Sequence, residues 1–312
     1  MSAIVTLTFN PAIDKSTTVE TLVPEKKLNC TQPIYEPGGG GINVARAIQK
    51  LGGKASAIYF AGGHSGKSFT KLLSDEHLTS ILIETKENTR ENLMVLETST
   101  KKQYRFGMPG PKIHKREWQQ ALQIIKTLKG LQYLVISGSL PPNVPNEIFA
   151  DIAKIVKHKK AKLIIDSSGS ALKKAVDVGV YLIKPNLREL SDLVGKEEID
   201  LNLVEAAAME LLNKGRCEIV VVSMGALGAM LVTKQEVYKI STPTVTVNST
   251  VGAGDSMLAG IVWSLAKNKN LLETIQYGVA CGTAATMNSG TSLCHKKDVK
   301  NLFQYLKNQP SL

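Results

Sequence analysis

Short apolar runs separated by amphipathic stretches fill the chain from residue 118 onward. The runs are Leu131 to Ser137, Leu163 to Asp166, Tyr181 to Lys184, Ile219 to Ser223 and Ala229 to Val232. Continuous apolar runs of this length are typical of strands that are buried on both faces, and the stretches between them have the periodicity of helices. The pattern therefore predicts an α/β fold: a doubly wound, largely parallel sheet with helices on both faces.

The first 106 residues add further elements to this sheet. Ile4 to Phe9 and Ala55 to Phe60 are predicted strands, and Ile42 to Leu51 is a predicted helix that ends at two glycines. In residues 16–35 and 90–106, β-branched and polar residues alternate without a helical stripe, which predicts a small second sheet. We expect residues 1–312 to form a single domain in which this small sheet is a lid.

Composition excludes several classes of protein. The chain has 312 residues, of which 43% are hydrophobic and 21% are charged, as in ordinary soluble proteins. Because it has neither an apolar run long enough to span a membrane nor a signal peptide pattern, we expect a cytoplasmic protein with no membrane partner. The cysteines lie too far apart for a zinc site and are expected to be reduced. They are Cys30, Cys217, Cys281 and Cys294.

The net charge of +11 raises the question of a nucleic-acid partner. However, the lysines are dispersed along the chain and only 5% of the residues are aromatic, so few side chains could stack on bases. An anionic small-molecule substrate explains the positive balance better, and we expect no nucleic acid.

The segment Ser249 to Ser256 carries the strongest chemical signal. Two glycines allow a tight turn, and the apolar spacing from Met257 to Leu265 predicts a helix directly after it. The free N–H groups at the start of that helix suit an anion, phosphate above all. Asp255 within this cradle could accept a proton from a hydroxyl that attacks phosphorus. From this segment alone, a helix N-cap is an equally good interpretation of Asp255.

A second glycine-rich segment precedes the helix predicted from Ile42. Four consecutive glycines, Gly38 to Gly41, are costly in chain entropy and indicate a close approach of the backbone to another group. Asp14 follows the first predicted strand, where open α/β sheets place ligand contacts, although a turn residue is the simpler interpretation. Two glycine-rich segments that lead into helices favour two polar ligands.

Polar residues follow several of the predicted strands. Because parallel strands end at one edge of a sheet, we expect these residues to converge there. They are Ser137-Gly138-Ser139, Asp166 to Gly169, Lys184-Pro185-Asn186 and Ser223-Met224-Gly225. The segment Gly62 to Ser68 is similar to a P-loop but has Ala61 where the first glycine is required, and the chain has no G-x-G-x-x-G motif.

Five of these segments, taken in order and spacing, carry a resemblance to a known family. They are Thr6 to Asp14, Gly38 to Arg46, Ser137 to Pro142, Lys184 to Glu189 and Gly252 to Ser256. The chain resembles the ribokinase-like sugar kinases along nearly its full length, and within them it looks most similar to the minor-type ATP-dependent 6-phosphofructokinases. The resemblance favours kinase chemistry for Asp255 over a helix cap. It also implies a ribokinase-like fold with a β-sheet lid that pairs with a second subunit in a homodimer.

The resemblance implies a role for each matching residue. Asp255 would be the base, and the amides of Gly252, Ala253 and Gly254 would form an anion hole. Asn186 and Glu189 would organise Mg²⁺ through water, a role compatible with capping the helix that begins there. The positions that match ATP binding are Lys184, Asn186, Ser223, Gly225 and Gly228.

The sugar-phosphate and cation positions are implied in the same way. Arg90, Lys27 and Ser139 match a substrate phosphate site, and Asp14 and Asn43 match a site for sugar hydroxyls. The full set of matching substrate positions is Asp14, Lys27, Gly38, Gly39, Gly40, Gly41, Asn43, Arg90 and Ser139. A K⁺ site is implied at Ser249, Val251, Ala285, Asn288, Gly290 and Ser292. Many relatives have Asp-Thr before Gly-Ala-Gly-Asp, whereas this chain has Ser249-Thr250-Val251 and would have to bind K⁺ through backbone carbonyls.

The implied reaction is transfer of the γ-phosphoryl group of MgATP to the C1 hydroxyl of fructose 6-phosphate, which gives fructose 1,6-bisphosphate. Tagatose-6-phosphate kinase and 1-phosphofructokinase are the nearest alternatives. Those enzymes commonly have Lys in the first glycine-rich loop, where this chain has Gly40, and this difference favours fructose 6-phosphate. An inactive sugar-phosphate sensor on the same fold is an alternative from another class, and Asp255, Asn186 and Glu189 argue against it.

Overall fold

The computed structural model describes residues 3–288, 290 and 292–309. Its strands are β1 (Ile4–Thr8), β2 (Ala12–Val19), β3 (Ile34–Gly38), β4 (Ala55–Gly62), β5 (Ser80–Thr85), β6 (Arg90–Glu97), β7 (Lys102–Phe106), β8 (Tyr133–Ser137), β9 (Lys162–Asp166), β10 (Val180–Ile183), β11 (Cys217–Ser223), β12 (Ala229–Val232) and β13 (Val237–Ile240). Its α-helices are α1 (Gly40–Lys50), α2 (Gly63–Asp75), α3 (Lys115–Thr127), α4 (Ile148–His158), α5 (Gly169–Asp177), α6 (Leu187–Val194), α7 (Val204–Asn213), α8 (Ala253–Ala266), α9 (Leu271–Thr286) and α10 (Lys296–Lys307). Short 3₁₀ turns lie at Leu201–Leu203 and Gly225–Leu227.

The large sheet has the strand order β13-β12-β11-β10-β9-β8-β1-β4-β5 in the described part of the chain. It is parallel from β5 to β11, and the hairpin of β12 and β13 adds two antiparallel strands at one edge. The apolar runs from residue 131 onward all form strands, with ends that agree with the prediction to within two residues. The predicted α/β fold with a largely parallel sheet is therefore confirmed.

Helices cover both faces of this sheet. In β1, Ile4 packs into an apolar cluster that contains Ile48 of α1 and Leu258 of α8. Leu7 of the same strand packs into a second apolar cluster, on the opposite face of the sheet, which contains Phe149 of α4. Since successive strand residues point to opposite faces, this division confirms the doubly wound arrangement. None of the described helices is long and apolar enough to span a membrane.

Helix α8 differs from the prediction. The spacing from Met257 to Leu265 predicts an amphipathic helix, but α8 is buried on nearly all sides because α1 and α9 pack against it. Glycines allow this close packing: a Cβ atom on Gly260 would lie 2.6 Å from Cys281 Sγ of α9. Helix α8 is thus packed in the core from Ser256 onward, while its first turn, Ala253 to Asp255, lies partly exposed.

The small sheet has the strand order β3-β2-β6-β7, and its existence is confirmed. Its bounds differ from the prediction, since β2 begins at Ala12 and residues 20–33 contain no strand. Pro24 lies in this segment and cannot donate a ladder hydrogen bond. Two consequences follow for predicted site residues: Asp14 lies inside β2 rather than in a turn, and Lys27 lies in an exposed loop.

Candidate active site

The carboxyl ends of neighbouring strands of the large sheet meet the amino ends of α1 and α8. The central strands β1, β8, β9 and β10 end at Thr8, Ser137, Asp166 and Ile183. The convergence predicted for the polar residues after these strands is observed, since Lys184 Nζ lies 3.2 Å from Asp166 Oδ1. This edge is where open α/β sheets bind ligands.

Asp255 lies in the first turn of α8, two residues after the helix begins. Its Oδ2 accepts a hydrogen bond of 2.9 Å from Nδ2 of Asn43 in α1. Burial and, to a lesser extent, Asp166 raise the pKa of Asp255 from 3.8 to about 6, against the opposing effects of Asn43 and Lys184. A carboxylate with a pKa close to neutrality is suited to accepting a proton.

The helix-cap interpretation of Asp255 is not what the structure shows. Gly252 is the N-cap of α8, with φ 75° and ψ −2°, and no side chain caps this end. The first N–H groups of a helix have no partner within the helix. Those of Ala253 and Gly254 therefore remain available to an anion, and the helix dipole favours negative charge there.

Lys184 supplies positive charge beside this cradle. A Cβ atom on Gly254 would lie 3.5 Å from Lys184 Nζ. Burial alone would lower the pKa of Lys184, but the carboxylates of Asp166, Asp255 and Glu189 outweigh burial and raise that pKa. The side chain is thus a buried, charged ammonium group within reach of both the cradle and Asp166.

Asn186 and Glu189 form the capping box of α6. Glu189 N donates to Asn186 Oδ1 at 2.9 Å, and Asn186 N donates to Glu189 Oε2 at 2.9 Å. Burial raises the pKa of Glu189, while the Asn186 amide and Lys184 act in the opposite direction. Each carboxylate and amide oxygen has more than one lone pair, so the box leaves capacity for a hydrated cation.

The four consecutive glycines are packed against the protein itself. A Cβ atom would lie 2.0 Å from Asp14 Oδ2 at Gly38, 2.3 Å from Ser137 Oγ at Gly40 and 2.5 Å from Thr8 Oγ1 at Gly41. Gly39 also has φ +113°, which side chains rarely adopt. The glycines let β3 and the start of α1 lie directly on the strand ends, so that their backbone forms a wall of the site.

Asp14 faces the space between the small sheet and the large sheet. Its Oδ1 accepts from Asn92 Nδ2 at 2.9 Å, across the pair that β2 and β6 form. Burial raises the pKa of Asp14, and Asn92 and Arg90 oppose the rise. Asp14, Asn92 and Arg105 line a cavity of about 250 Å³ that extends to Val251.

Arg90 and Ser139 are brought to the same region, and Asn10 connects them. Arg90 donates from Nη1 to Met108 O and from Nη2 to Asn10 O, both at 3.0 Å. The Asn10 side chain donates from Nδ2 to Ser139 Oγ at 3.0 Å. Burial lowers the pKa of Arg90, which Asp14 partly restores. Arg90 and Ser139, both predicted to bind the phosphate, therefore contact the same residue, Asn10. Lys27, the third predicted phosphate residue, forms no ion pair within the described residues.

The residues that match ATP binding follow β10 and β11. Asn186 and Ser223 form a parallel bridge, and Ser223 Oγ donates to Pro185 O at 3.4 Å. Gly225 is the first residue of the 3₁₀ turn and Gly228 follows its last, with φ of 59° and 101°. At Gly228 a Cβ atom would lie 1.9 Å from Ile240 O, so only glycine fits there.

The residues predicted to bind a monovalent cation lie on two segments that contact each other. Ser249 Oγ donates to Gly290 O at 2.7 Å, and Val251 N donates to Ser249 Oγ at 3.2 Å. Asn288 closes the second segment by donating to Leu293 O at 3.1 Å. Within the described residues no group of three or more His, Cys, Asp and Glu could hold a metal ion. The remaining members of the predicted set are Ala285 and Ser292.

Sequence reasoning assigned no role to several residues that complete this site. Arg46 is buried and donates to Pro37 O at 2.9 Å and to Glu76 Oε2 at 2.7 Å, which anchors α1 to the small sheet and to α2. Arg105 Nη2 of β7 donates to Thr250 Oγ1 at 3.0 Å and so joins the small sheet to the cradle segment. The others are Asn10, Asn92 and Asp166. Asn10 and Arg46 lie in segments that match the family, and Asp166 ends a predicted strand, but no signal in the sequence pointed to Asn92 or Arg105.

The family of the chain follows from comparison with known proteins. A model of the pfkB family carbohydrate kinases matches residues 7–298. Over 307 residues the chain is 43% identical to the ATP-dependent 6-phosphofructokinase isozyme 2 of Escherichia coli (strain K12), with coverage of 98% of this chain and 99% of the relative. The chain belongs to the pfkB family of carbohydrate kinases.

Solved structures agree with membership of the pfkB family. The phosphofructokinase-2 of Escherichia coli in complex with potassium matches with a TM-score of 0.95 and 43% identity, over 99% of this chain and 100% of that one. The same enzyme in complex with fructose-6-phosphate matches with a TM-score of 0.93 and 41% identity, over 99% and 100% of the two chains. The predicted ribokinase-like sugar kinase fold is confirmed, and the chain is a phosphotransferase.

Proposed function

We propose that this pfkB family kinase is an ATP-dependent 6-phosphofructokinase in which residues 1–312 act as one kinase domain. The observation that carries the proposal is Asp255, a carboxylate with a pKa of about 6 beside an uncapped helix N-terminus. A proton acceptor and an anion cradle in contact are the two groups that phosphoryl transfer to a hydroxyl requires. The names of the relatives supply the substrate: fructose 6-phosphate, with ATP as donor.

In the proposed reaction Asp255 accepts the proton of the C1 hydroxyl. The hydroxyl oxygen forms a bond to the γ-phosphorus while the bond from phosphorus to the bridging oxygen of ADP breaks. The amides of Gly252, Ala253 and Gly254 and the ammonium of Lys184 stabilise the negative charge on the phosphoryl oxygens. Asn43 holds the Asp255 carboxylate in place through its hydrogen bond of 2.9 Å.

Mg²⁺ fits the carboxylates at this edge of the sheet. Asp166 and Glu189 act on the same ammonium, Lys184, and Asn186 adds an amide oxygen. Oxygen ligands and retained water are what Mg²⁺ prefers in kinase sites. When bound with ATP, Mg²⁺ would neutralise charge on the phosphates. Ser223, Gly225 and Gly228 shape the backbone next to these residues and are proposed to contact the nucleotide.

The sugar phosphate is proposed to bind between the small sheet and the backbone of Gly38 to Gly41. Arg90 and Ser139 would bind the phosphate, because a guanidinium and a hydroxyl can both donate to its oxygens. Asp14, Asn43 and the backbone of Gly38 to Gly41 would bind the sugar hydroxyls. Ser137 Oγ would lie 2.3 Å from a Cβ atom on Gly40, so the lysine common in kinases of other sugar phosphates does not fit here without a shift.

A monovalent cation is proposed between the segments that contain Ser249 and Gly290. The contact of Ser249 Oγ with Gly290 O, at 2.7 Å, brings their backbones together directly before the anion cradle. Phosphofructokinase-2 of Escherichia coli has been crystallised with potassium. An ion bound here would hold the segment that leads into Gly252.

A homodimer is proposed through the face of the small sheet opposite Asp14. Lys15 pairs with Tyr35 across β2 and β3, and Val95 pairs with Tyr104 across β6 and β7, which places both aromatic residues on that face. Tyr35 is 46% exposed and Tyr104 is 37% exposed. A small sheet with an exposed aromatic face and two open edges is stabilised by pairing. Lys27, exposed in the loop after β2, is proposed to complete the phosphate site in the assembled protein.

The proposal is tested by measuring ADP formation with a panel of acceptors: fructose 6-phosphate, tagatose 6-phosphate, fructose 1-phosphate and fructose. We expect the highest kcat/KM with fructose 6-phosphate and a far lower value with fructose, which lacks the phosphate. A preference for fructose 1-phosphate or tagatose 6-phosphate would replace the substrate but keep the chemistry. The absence of turnover with every acceptor, together with tight binding of a sugar phosphate, would favour the inactive sensor.

A further inference from the structure

Asn10 is buried where the substrate phosphate is proposed to bind, and it contacts Arg90 and Ser139, two of the groups assigned to that phosphate. Its side chain donates to Ser139 Oγ, 129 positions away in the sequence, at 3.0 Å. Its backbone carbonyl accepts from Arg90 Nη2, 80 positions away, at 3.0 Å. Only 7% of Asn10 is exposed. One residue therefore joins the end of β1, the end of β8 and the start of β6.

The direction of the hydrogen bond to Ser139 determines what that hydroxyl can do next. A serine hydroxyl has one hydrogen to donate and two lone pairs to accept with. Because Asn10 Nδ2 donates to Ser139 Oγ, a lone pair is occupied and the hydroxyl hydrogen remains for another partner. Ser139 is exposed, so this hydrogen is available to an anion that enters the site. An acceptor at position 10 would instead draw the hydrogen inward.

Two backbone carbonyls hold the guanidinium of Arg90 in place. Two of its N–H groups bind the carbonyls of Met108 and Asn10, and its buried Nε has no hydrogen-bond partner within the part of the chain that the structure describes. A guanidinium has five N–H donors, so several remain for an anion. The backbone carbonyl of residue 10 is retained in every substitution there, which separates the effect on Arg90 from the effect on Ser139.

We propose that Asn10 is a positioning residue for the substrate phosphate: its amide holds the Ser139 hydroxyl as a donor to the phosphate, and its carbonyl orients Arg90. The inference rests on the proposed function, because it takes the phosphate of fructose 6-phosphate as the anion. Asn10 does not contact the C1 hydroxyl in this account, so it acts on substrate affinity and not on the transfer step.

The test compares Asn10→Ala and Asn10→Asp with Ser139→Ala and with the Asn10→Ala/Ser139→Ala double variant. Calorimetry gives the Kd for fructose 6-phosphate and for ATP, and the ADP assay gives kcat. Asn10→Ala should weaken fructose 6-phosphate binding roughly three- to tenfold, the usual effect of one hydrogen bond. Asn10→Asp should weaken it more, since a carboxylate accepts the Ser139 hydrogen and repels the phosphate. In the Ser139→Ala background, Asn10→Ala should have no further effect.

Asn146→Ala is a matched control. Asn146 Nδ2 also donates to a serine hydroxyl, Ser170 Oγ, at 3.1 Å, and neither residue is assigned to the active site. It should leave the Kd for fructose 6-phosphate unchanged. The inference is overturned if Asn10→Ala loses affinity equally for ATP, or loses affinity for fructose 6-phosphate with Ser139 already removed. It is also overturned if Asn10→Asp binds fructose 6-phosphate as well as the wild type. If the wild type binds fructose 6-phosphate without turning it over, the proposed function fails, and the same pattern of Kd values still decides the role of Asn10.

Discussion

Replacing Asp255 with Asn should stabilise the folded protein at pH 8 while it removes most of the activity. The carboxylate is ionised at this pH in a site that disfavours its charge, through burial and through the carboxylate of Asp166. An amide of the same shape removes that cost and can still accept the hydrogen bond from Asn43. A functional residue that costs stability is expected where a site is shaped for chemistry.

The magnitude follows from the pKa. Asp255 has a pKa of about 6 in the folded protein, against 3.8 for an ordinary aspartate. At about 1.4 kcal/mol per pKa unit, ionisation of this one group costs up to about 3 kcal/mol of folding free energy. The raised pKa means that the wild type gains stability as the pH falls through 6 towards 4. The advantage of the variant is therefore full above pH 6 and disappears below about pH 4.

The assay is denaturant unfolding of the nucleotide-free protein at pH 8, 6 and 4.5. Asp255→Asn should exceed the wild type in free energy of unfolding by about 1–3 kcal/mol at pH 8, and the difference should shrink at each lower pH. Asp200→Asn is the control: it changes net charge equally at an exposed residue whose side chain caps no helix. A variant that is less stable than the wild type at pH 8, or a difference that does not change with pH, would mean that the Asp255 charge does not destabilise the folded protein.

Three further predictions concern the metal, the phosphate and the assembly. Glu189→Gln should raise the Mg²⁺ concentration needed for half-maximal rate more than the KM for fructose 6-phosphate, and an unchanged Mg²⁺ titration would leave Glu189 with its capping role only. Arg90→Ala should raise the KM for fructose 6-phosphate by roughly one to two powers of ten, from the loss of about 1.5–3 kcal/mol of charged hydrogen bonding, while the KM for ATP changes little. Equal rises in both KM values would mean that Arg90 only supports the small sheet. Tyr104→Glu should convert a dimer to monomers in sedimentation, whereas Tyr305→Glu, at a residue 52% exposed on α10, should not; a fully active monomeric wild type would contradict the assembly.

The strands of the large sheet could be predicted because their residues are buried on both faces. A run such as Leu163 to Asp166 has few polar positions, so its pattern does not depend on which neighbour it pairs with. The small sheet was predicted less accurately because its strands are defined by their partners. Strand β2 begins at Ala12 because Ala12 pairs with Gly38 and with Arg90, and no local pattern in the sequence shows that pairing.

The site residues likewise fall into those that a local sequence pattern predicts and those that depend on partners distant in the sequence. Asp255 and the glycine segments could be predicted because their function requires a local sequence, a tight turn that leads into a helix. The hydrogen bond from Asn43 to Asp255 joins residues 212 positions apart. Asn10, Asn92 and Arg105 also act through distant partners, which lie 129, 78 and 145 positions away in the sequence. A polar residue whose partner is supplied by the fold resembles any other polar residue until the fold is known.

Asp255 is proposed to activate the C1 hydroxyl of fructose 6-phosphate for phosphoryl transfer. The most direct test is to incubate the protein with MgATP and fructose 6-phosphate and to identify the phosphorylated sugar by ³¹P NMR over time, for the wild type and for Asp255→Asn. We expect fructose 1,6-bisphosphate as the sugar product of the wild type, and its formation should be roughly two to four powers of ten slower in the variant. A phosphate on another carbon, release of inorganic phosphate without a sugar product, or an equal rate in the variant would contradict this role of Asp255 in transfer to the C1 hydroxyl.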